Sequence, residues 1–159
     1  MDNFRSPSLG DLSLGGVVEQ TLKFIRKENN SHFKIVIGTD SEMVGKKSAH
    51  FVSAVVIHHV GHGGIYFWGS ATRENITTLR DRIYDEAVYS LTLARKIIDE
   101  FHRRSLPLEK ILEIHVDIGE NGDTRAMIAE VTGMIRGNGF ICKTKPDSFG
   151  ASNVADRHT

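Results

Sequence analysis

Apolar positions recur along this chain first with a helical and then with a strand period, and each change of period marks an element. Val17, Val18, Leu22 and Ile25 share one helical stripe and predict a short amphipathic helix that stops near Asn29-Asn30. The run FKIVIGTD, Phe33 to Asp40, has the length and apolar content of a central strand covered on both faces. FVSAVVIHHV (Phe51 to Val60) and IYFWGSA (Ile65 to Ala71) flank the Gly61/Gly63/Gly64 cluster and predict a hairpin. A long helix follows over about Leu79 to Phe101 and ends before Pro107. Leu112, Ile114, Val116 and Ile118 alternate with Glu113, His115 and Asp117, a strand with one apolar and one polar face. The Gly119–Gly122 turn leads to a helix over about Asp123 to Arg136, then a short strand from Phe140 to Lys145. A last helix starts in Ala151 to His158. The order α, β, β, β, α, β, α, β, α predicts an α/β fold. Its five-stranded sheet is mixed, with the first three strands antiparallel, the later ones parallel, and helices on both faces.

Composition sets bounds on this picture. The 159 residues suit one domain, read as a flexible lead-in over 1–12 and a single domain over 13–159. With 40% hydrophobic and 25% charged residues, the chain is not of the disordered class. Twenty Lys and Arg balance 20 Asp and Glu, so no global positive field holds a polyanion and any such binding rests on local patches. The lone Cys142 excludes an internal disulfide and fits a reducing compartment, so a cytoplasmic location is expected. No apolar run approaches the ~18 residues of a membrane helix, and the N-terminus lacks a signal-peptide core, so no membrane partner is expected.

Four acids carry the candidate chemistry. Asp40 ends an apolar strand, where its charge needs water, donors or a metal, or where it starts an Asx turn. Glu86 falls within the apolar stripe of the long helix, in line with Leu79, Ile83, Leu93 and Ile97, and demands either a basic partner or a cation. Asp117 stands at the carboxyl end of its strand, where ligands of parallel sheets gather, or caps the next turn. Asp156 lies in the final NVADRHT segment and draws its interest from the other three. Adjacent central strands would set Asp40 beside Asp117, with Glu86 projecting from the covering helix. Carboxylates that close do not all stay ionised without a cation. Oxygen-only ligands select Mg²⁺ or Mn²⁺, and two such ions ~3.5–4 Å apart activate water against a phosphodiester.

The element order and the four acids resemble the ribonuclease H-like superfamily. The segments IGTDSEM, HVDIGENGDTRAMIAEVTGMIRGNGF and KPDSFGASNVADRHT are similar to the bacterial YkuK family within it, over most of the chain from about Ile35. The resemblance implies a ribonuclease H-like fold with Asp40, Glu86 and Asp117 in the places of the metal-binding acids and Asp156 in that of the fourth. It also implies a Mg²⁺- or Mn²⁺-dependent phosphodiester hydrolase acting on RNA, DNA or a hybrid. Ser41 stands where ribonuclease H itself has a glycine just after the first acid. The alternative is a non-catalytic nucleic-acid- or protein-binding module on the same fold.

Candidate substrate contacts are Ser41, Lys143, Lys145 and Ser148, with Arg157 nearby. Alternating Lys143 and Lys145 equally suit an edge strand guarded against aggregation. His158, close to Asp156, suits a proton relay, as does an idle chain end. His58 and His59 point to opposite strand faces, which argues against a zinc site with His62. The Gly119–Gly122 turn at a helix start suits a phosphate, and a phosphotransferase would use it. It lacks a Walker lysine, and an Asn121-Gly122 turn with an Asp123 cap explains it. Phe67 and Trp68 read as core rather than as a base-stacking platform.

Overall fold

The most β-branched runs pair with one another at the centre of the fold. In the computed structural model, which describes residues 1, 3–27, 32–120, 124–148 and 151–159, β3 (Phe33–Met43) lies antiparallel to β4 (Ser48–His59). β4 in turn lies antiparallel to β5 (Gly63–Glu74). Their side chains alternate between two covered faces. Ile35, Ile37, Val55, Ile57 and Phe67 join the larger core, and Val36, Val52 and Ala54 a smaller one.

At the residues expected as a flexible lead-in, the structure has a hairpin instead. β1 (Asn3–Ser6) and β2 (Gly10–Ser13) pair antiparallel, and β1 docks on β5 with Arg5 opposite Trp68. The Ser/Pro/Gly content belongs to the turn between the two strands, with Gly10 at φ +70°, and not to a loose tail. Phe4 anchors the hairpin, fully buried over Gly69 of β5.

α1 (Leu14–Lys27) and α2 (Leu79–Arg103) follow β2 and β5. β6 (Leu112–His115) pairs parallel with the free edge of β3, and after α3 (Ile128–Gly137), β7 (Ile141–Lys143) pairs parallel with β6. The described residues thus form a sheet of seven strands, ordered β2-β1-β5-β4-β3-β6-β7, two more than expected. The mixed α/β class holds, with both added strands in the N-terminal hairpin. α1, α2 and α3 cover one face, and α4 (Ala151–Asp156) packs Ala151 and Ala155 on the other.

Local details refine these elements. The polar face of β6 is covered, with Glu113 and His115 buried. The helix after β6 enters through a 3₁₀ turn at Arg125–Met127, and both Asp123 and the Asn121-Gly122 turn lie outside the described residues, as does the Asn29-Asn30 stop. No described helix is long and apolar enough to cross a membrane.

A Cβ on Gly69 would sit 2.8 Å from the Asn3 carbonyl oxygen and 3.3 Å from the Phe4 ring. Gly69→Ala is therefore expected to cost about 1–3 kcal/mol in urea unfolding. Amide exchange should speed up in β1 and not in β3; unchanged protection of β1 would contradict the docking.

Candidate acidic site at the strand carboxyl ends

The parallel register of β3 and β6 decides which acids meet. Ile35, Val36 and Ile37 pair with Leu112, Glu113 and Ile114. Carried onward at the same offset, Asp40 stands level with Asp117. On the far side the chain past β6 keeps its partner, with Val116 N–H donating to the Lys143 carbonyl (3.0 Å) and Lys145 N–H to that of Ile118 (2.9 Å). Gly119 permits this approach, because a Cβ there would lie 3.0 Å from the Lys145 Cβ. Alternation puts Asp40 and Asp117 on the α4 face.

Asp156 ends α4, which packs on β3 and β4, and it is exposed. Thr159 bridges the two elements, its hydroxyl 3.4 Å from Asp40 Oδ2 and 2.9 Å from the Asp156 carbonyl oxygen. Burial raises the Asp40 pKa above the usual carboxylate range, and the charges of Asp156 and Asp117 push the same way against the Ser41 amide and the Thr159 hydroxyl. The three acids therefore share one electrostatic field.

Glu86 arrives from the opposite face. Thr78 and Asp81 close a capping box that fixes the first turn of α2. Two turns on, Glu86 is only 2% exposed among Ile83, Ala87 and Ser90. Ser41, which alternation turns away from Asp40 and toward α2, donates to Glu86 Oε1 at 2.6 Å. Arg82 holds Ser41 in turn, Nε to its hydroxyl at 3.1 Å and Nη2 to its carbonyl oxygen at 2.6 Å, while its guanidinium stays 4.0 Å from Glu86. Burial pushes the Glu86 pKa up to about 8, with Ser41 and Arg82 opposing and the Asp40 and Asp117 charges reinforcing. Behind this cluster Thr39 bonds Ser53 (2.8 Å) and Ser90 (2.9 Å), so polar groups tie α2 to β3 and β4.

The other expected site residues divide. Lys145 joins the acids, its Nζ 2.9 Å from Asp117 Oδ1. Lys143 pairs in register with His115, further back on the same face. Ser41 is buried, and its hydroxyl donates to Glu86. Ser148 is buried, 5% exposed. His158 stacks flat on Trp68 of β5, ring centroids 3.8 Å apart, and its Nε2 is buried without a hydrogen bond among the described residues. Burial and then Arg157 keep its pKa below the usual imidazole range. The stacking explains why Trp68 is only half-buried from the sheet side, whereas Phe67, on the other face, is core. Sequence reasoning missed Arg82 and Thr159; Arg82 was recoverable as the basic residue one helical turn before Glu86.

The carboxylates fit a hard dication in kind: Asp40, Asp117 and Asp156 offer oxygen donors that raise the cost of each other's charge on Asp40. Among the described residues, however, no three His, Cys, Asp or Glu side chains lie close enough to hold an ion together. In this conformation the acids share a field without forming one coordination sphere.

A family model described as ribonuclease H-like matches residues 16–159. The chain belongs to the ribonuclease H-like family. It is also similar to the uncharacterized protein YkuK of Bacillus subtilis (strain 168), 31% identical over 169 residues that cover 98% of this chain and 96% of that protein. No solved structure matches significantly. The ribonuclease H-like match begins just past β2, so the N-terminal hairpin lies outside the matched stretch.

Glu86 makes the site pH-sensitive in the metal-free protein. A proton held with a pKa near 8 in the native state and 4.5 in the unfolded chain favours folding below 4.5, and this contribution is lost as pH rises through 8. Urea unfolding in EDTA should lose on the order of a few kcal/mol across that window. Glu86→Gln should flatten the slope; an identical slope in both proteins would contradict the assignment.

Proposed function

We propose that the chain is a divalent-metal-dependent phosphodiester hydrolase acting on RNA, DNA or a hybrid. What supports this reading is the parallel pairing of β3 with β6, which leads Asp40 and Asp117 to the same sheet end, where the charges of Asp117 and Asp156 both act on Asp40. Family membership supports a nuclease-like chemistry. Asp40, Asp117 and Asp156 would hold Mg²⁺ or Mn²⁺, with Glu86 completing the set. Such ions activate a water and stabilise the leaving oxygen of a phosphodiester.

The chain's own groups prepare the site. Ser41 and Arg82 fix the carboxyl of Glu86, so that its orientation does not depend on a ligand. Glu86 holds its proton near neutral pH and is positioned to give it up when positive charge enters. Lys145 neutralises Asp117 through a pair that is half open to solvent, 58% and 36% exposed on its two sides. Such a pair is worth about 0–1 kcal/mol and yields readily to a stronger cation.

A second reading, a binding module without turnover, draws on that same Lys145–Asp117 pair, which satisfies one of the acids without any ion. Melting temperature with and without Mn²⁺ separates the two. The hydrolase predicts a rise that disappears in Asp117→Asn, and the module predicts none. Mn²⁺-stimulated cleavage of labelled oligonucleotides should fall at least about 100-fold in Asp40→Asn, since even groups behind metal ligands are worth about 10–100-fold. Equal cleavage by both proteins would reject the mechanism. Lys145→Ala is expected to leave the metal-free melting temperature within a degree or two.

A further inference from the structure

On the α4 face, a few residues back from the acids, the sheet carries a cavity of about 360 Å³. Val36 and Val56, neighbours across β3 and β4, make an apolar floor. Glu113 and His115 of β6 form one side; Glu113 accepts from Lys34 (3.0 Å) and from His115 Nε2 (3.2 Å), so this wall is ordered by its own bonds. His58 and Lys143 stand at the other margins, with Asp147 at the rim.

The cavity is aligned with the acids. At about 3.3 Å per residue, His115 lies ~7 Å before Asp117 along β6, and Val36 ~13 Å before Asp40 along β3. Lys143 is the register partner of His115, and Lys145 follows on the same face. Cation, floor and acids therefore lie in one line along the strands.

We propose that this cavity receives one unpaired nucleotide of the strand whose phosphodiester lies at Asp40 and Asp117. The inference rests on the hydrolase reading and adds to it the preference for a single-stranded segment. The volume is in the range of small-ligand sites. Val56, only partly buried, offers an apolar floor to the face of a base beside the nearly covered Val36. The walls present both donors (Lys143, His58) and acceptors (Glu113, Asp147), which a base edge answers with both kinds of group. A simple anion would meet Glu113 and Asp147, and a purely apolar ligand would bury the charged walls unpaired. With the base on the valines, the backbone passes Lys143 on its way to the acids.

The test is titration of the full chain in EDTA with CMP, AMP and inorganic phosphate, followed by amide shifts in ¹H–¹⁵N spectra. Nucleotide is expected to shift Val36, Val56, His58 and Lys143, and phosphate alone to bind at least tenfold more weakly. Lys143→Ala, at a half-exposed position, should weaken nucleotide binding about fivefold or more. Val56→Tyr, which fills the floor, should abolish it. Phosphate binding as well as nucleotide, or no shift in these residues, would overturn the inference. Metal-stimulated cleavage without nucleotide binding would remove the cavity's role and leave the hydrolase standing. Nucleotide binding without any cleavage would do the reverse.

Discussion

Three rungs of parallel pairing, Ile35 with Leu112, Val36 with Glu113 and Ile37 with Ile114, hold the site together. They are short, because β6 is only four residues long, yet they lie between the fully buried Ile35, Ile37, Leu112 and Ile114 on one face and α4 on the other. A slip of one residue would turn the Asp117 side chain to the opposite face and bring Ile118 to its place. The apolar cost of that slip, several buried side chains at about 1.5–3 kcal/mol each, is what keeps two repelling carboxylates level. Packing energy, in other words, supports an electrostatic arrangement that would not assemble on its own.

The site is assembled from both faces of the sheet. Asp40 and Ser41 are neighbours in sequence but point apart, and the sheet thickness separates the exposed acid of α4 from the buried acid of α2. Glu86 is consequently the most desolvated group at the site, and its pKa near 8 reflects burial before it reflects charge. The serine after the first acid accounts for this arrangement. A glycine in its place would leave Glu86 without its nearest donor and Arg82 without a side chain to hold, so Ser41 acts as a clamp on Glu86.

The α4 face is correspondingly thin. A helix of six residues covers Val36, Val52 and Ala54 and leaves Val56 and Trp68 only partly covered. His158 extends that cover by stacking on Trp68, which ties the chain end to β5. The remaining uncovered floor becomes the cavity beside Glu113 and His115.

Periodicity alone identified the central antiparallel strands, the long helix and the two later strand–helix units, because burial repeats with period two or 3.6 wherever an element packs. It also exposed Glu86, since a carboxylate within an apolar stripe is visible without coordinates. The N-terminal hairpin was not legible: four-residue strands carry too little period, and only Phe4 and Leu12 flank the turn. Nor were the partners of the acids. Lys145 on Asp117, Ser41 on Glu86, Arg82 on Ser41 and Trp68 under His158 join residues 28 to 90 positions apart, and such pairings are decided by which surfaces the packed core brings into contact. Local sequence determines which residues are available and which way each element turns them; three-dimensional packing alone determines which charges end up sharing a low-dielectric space.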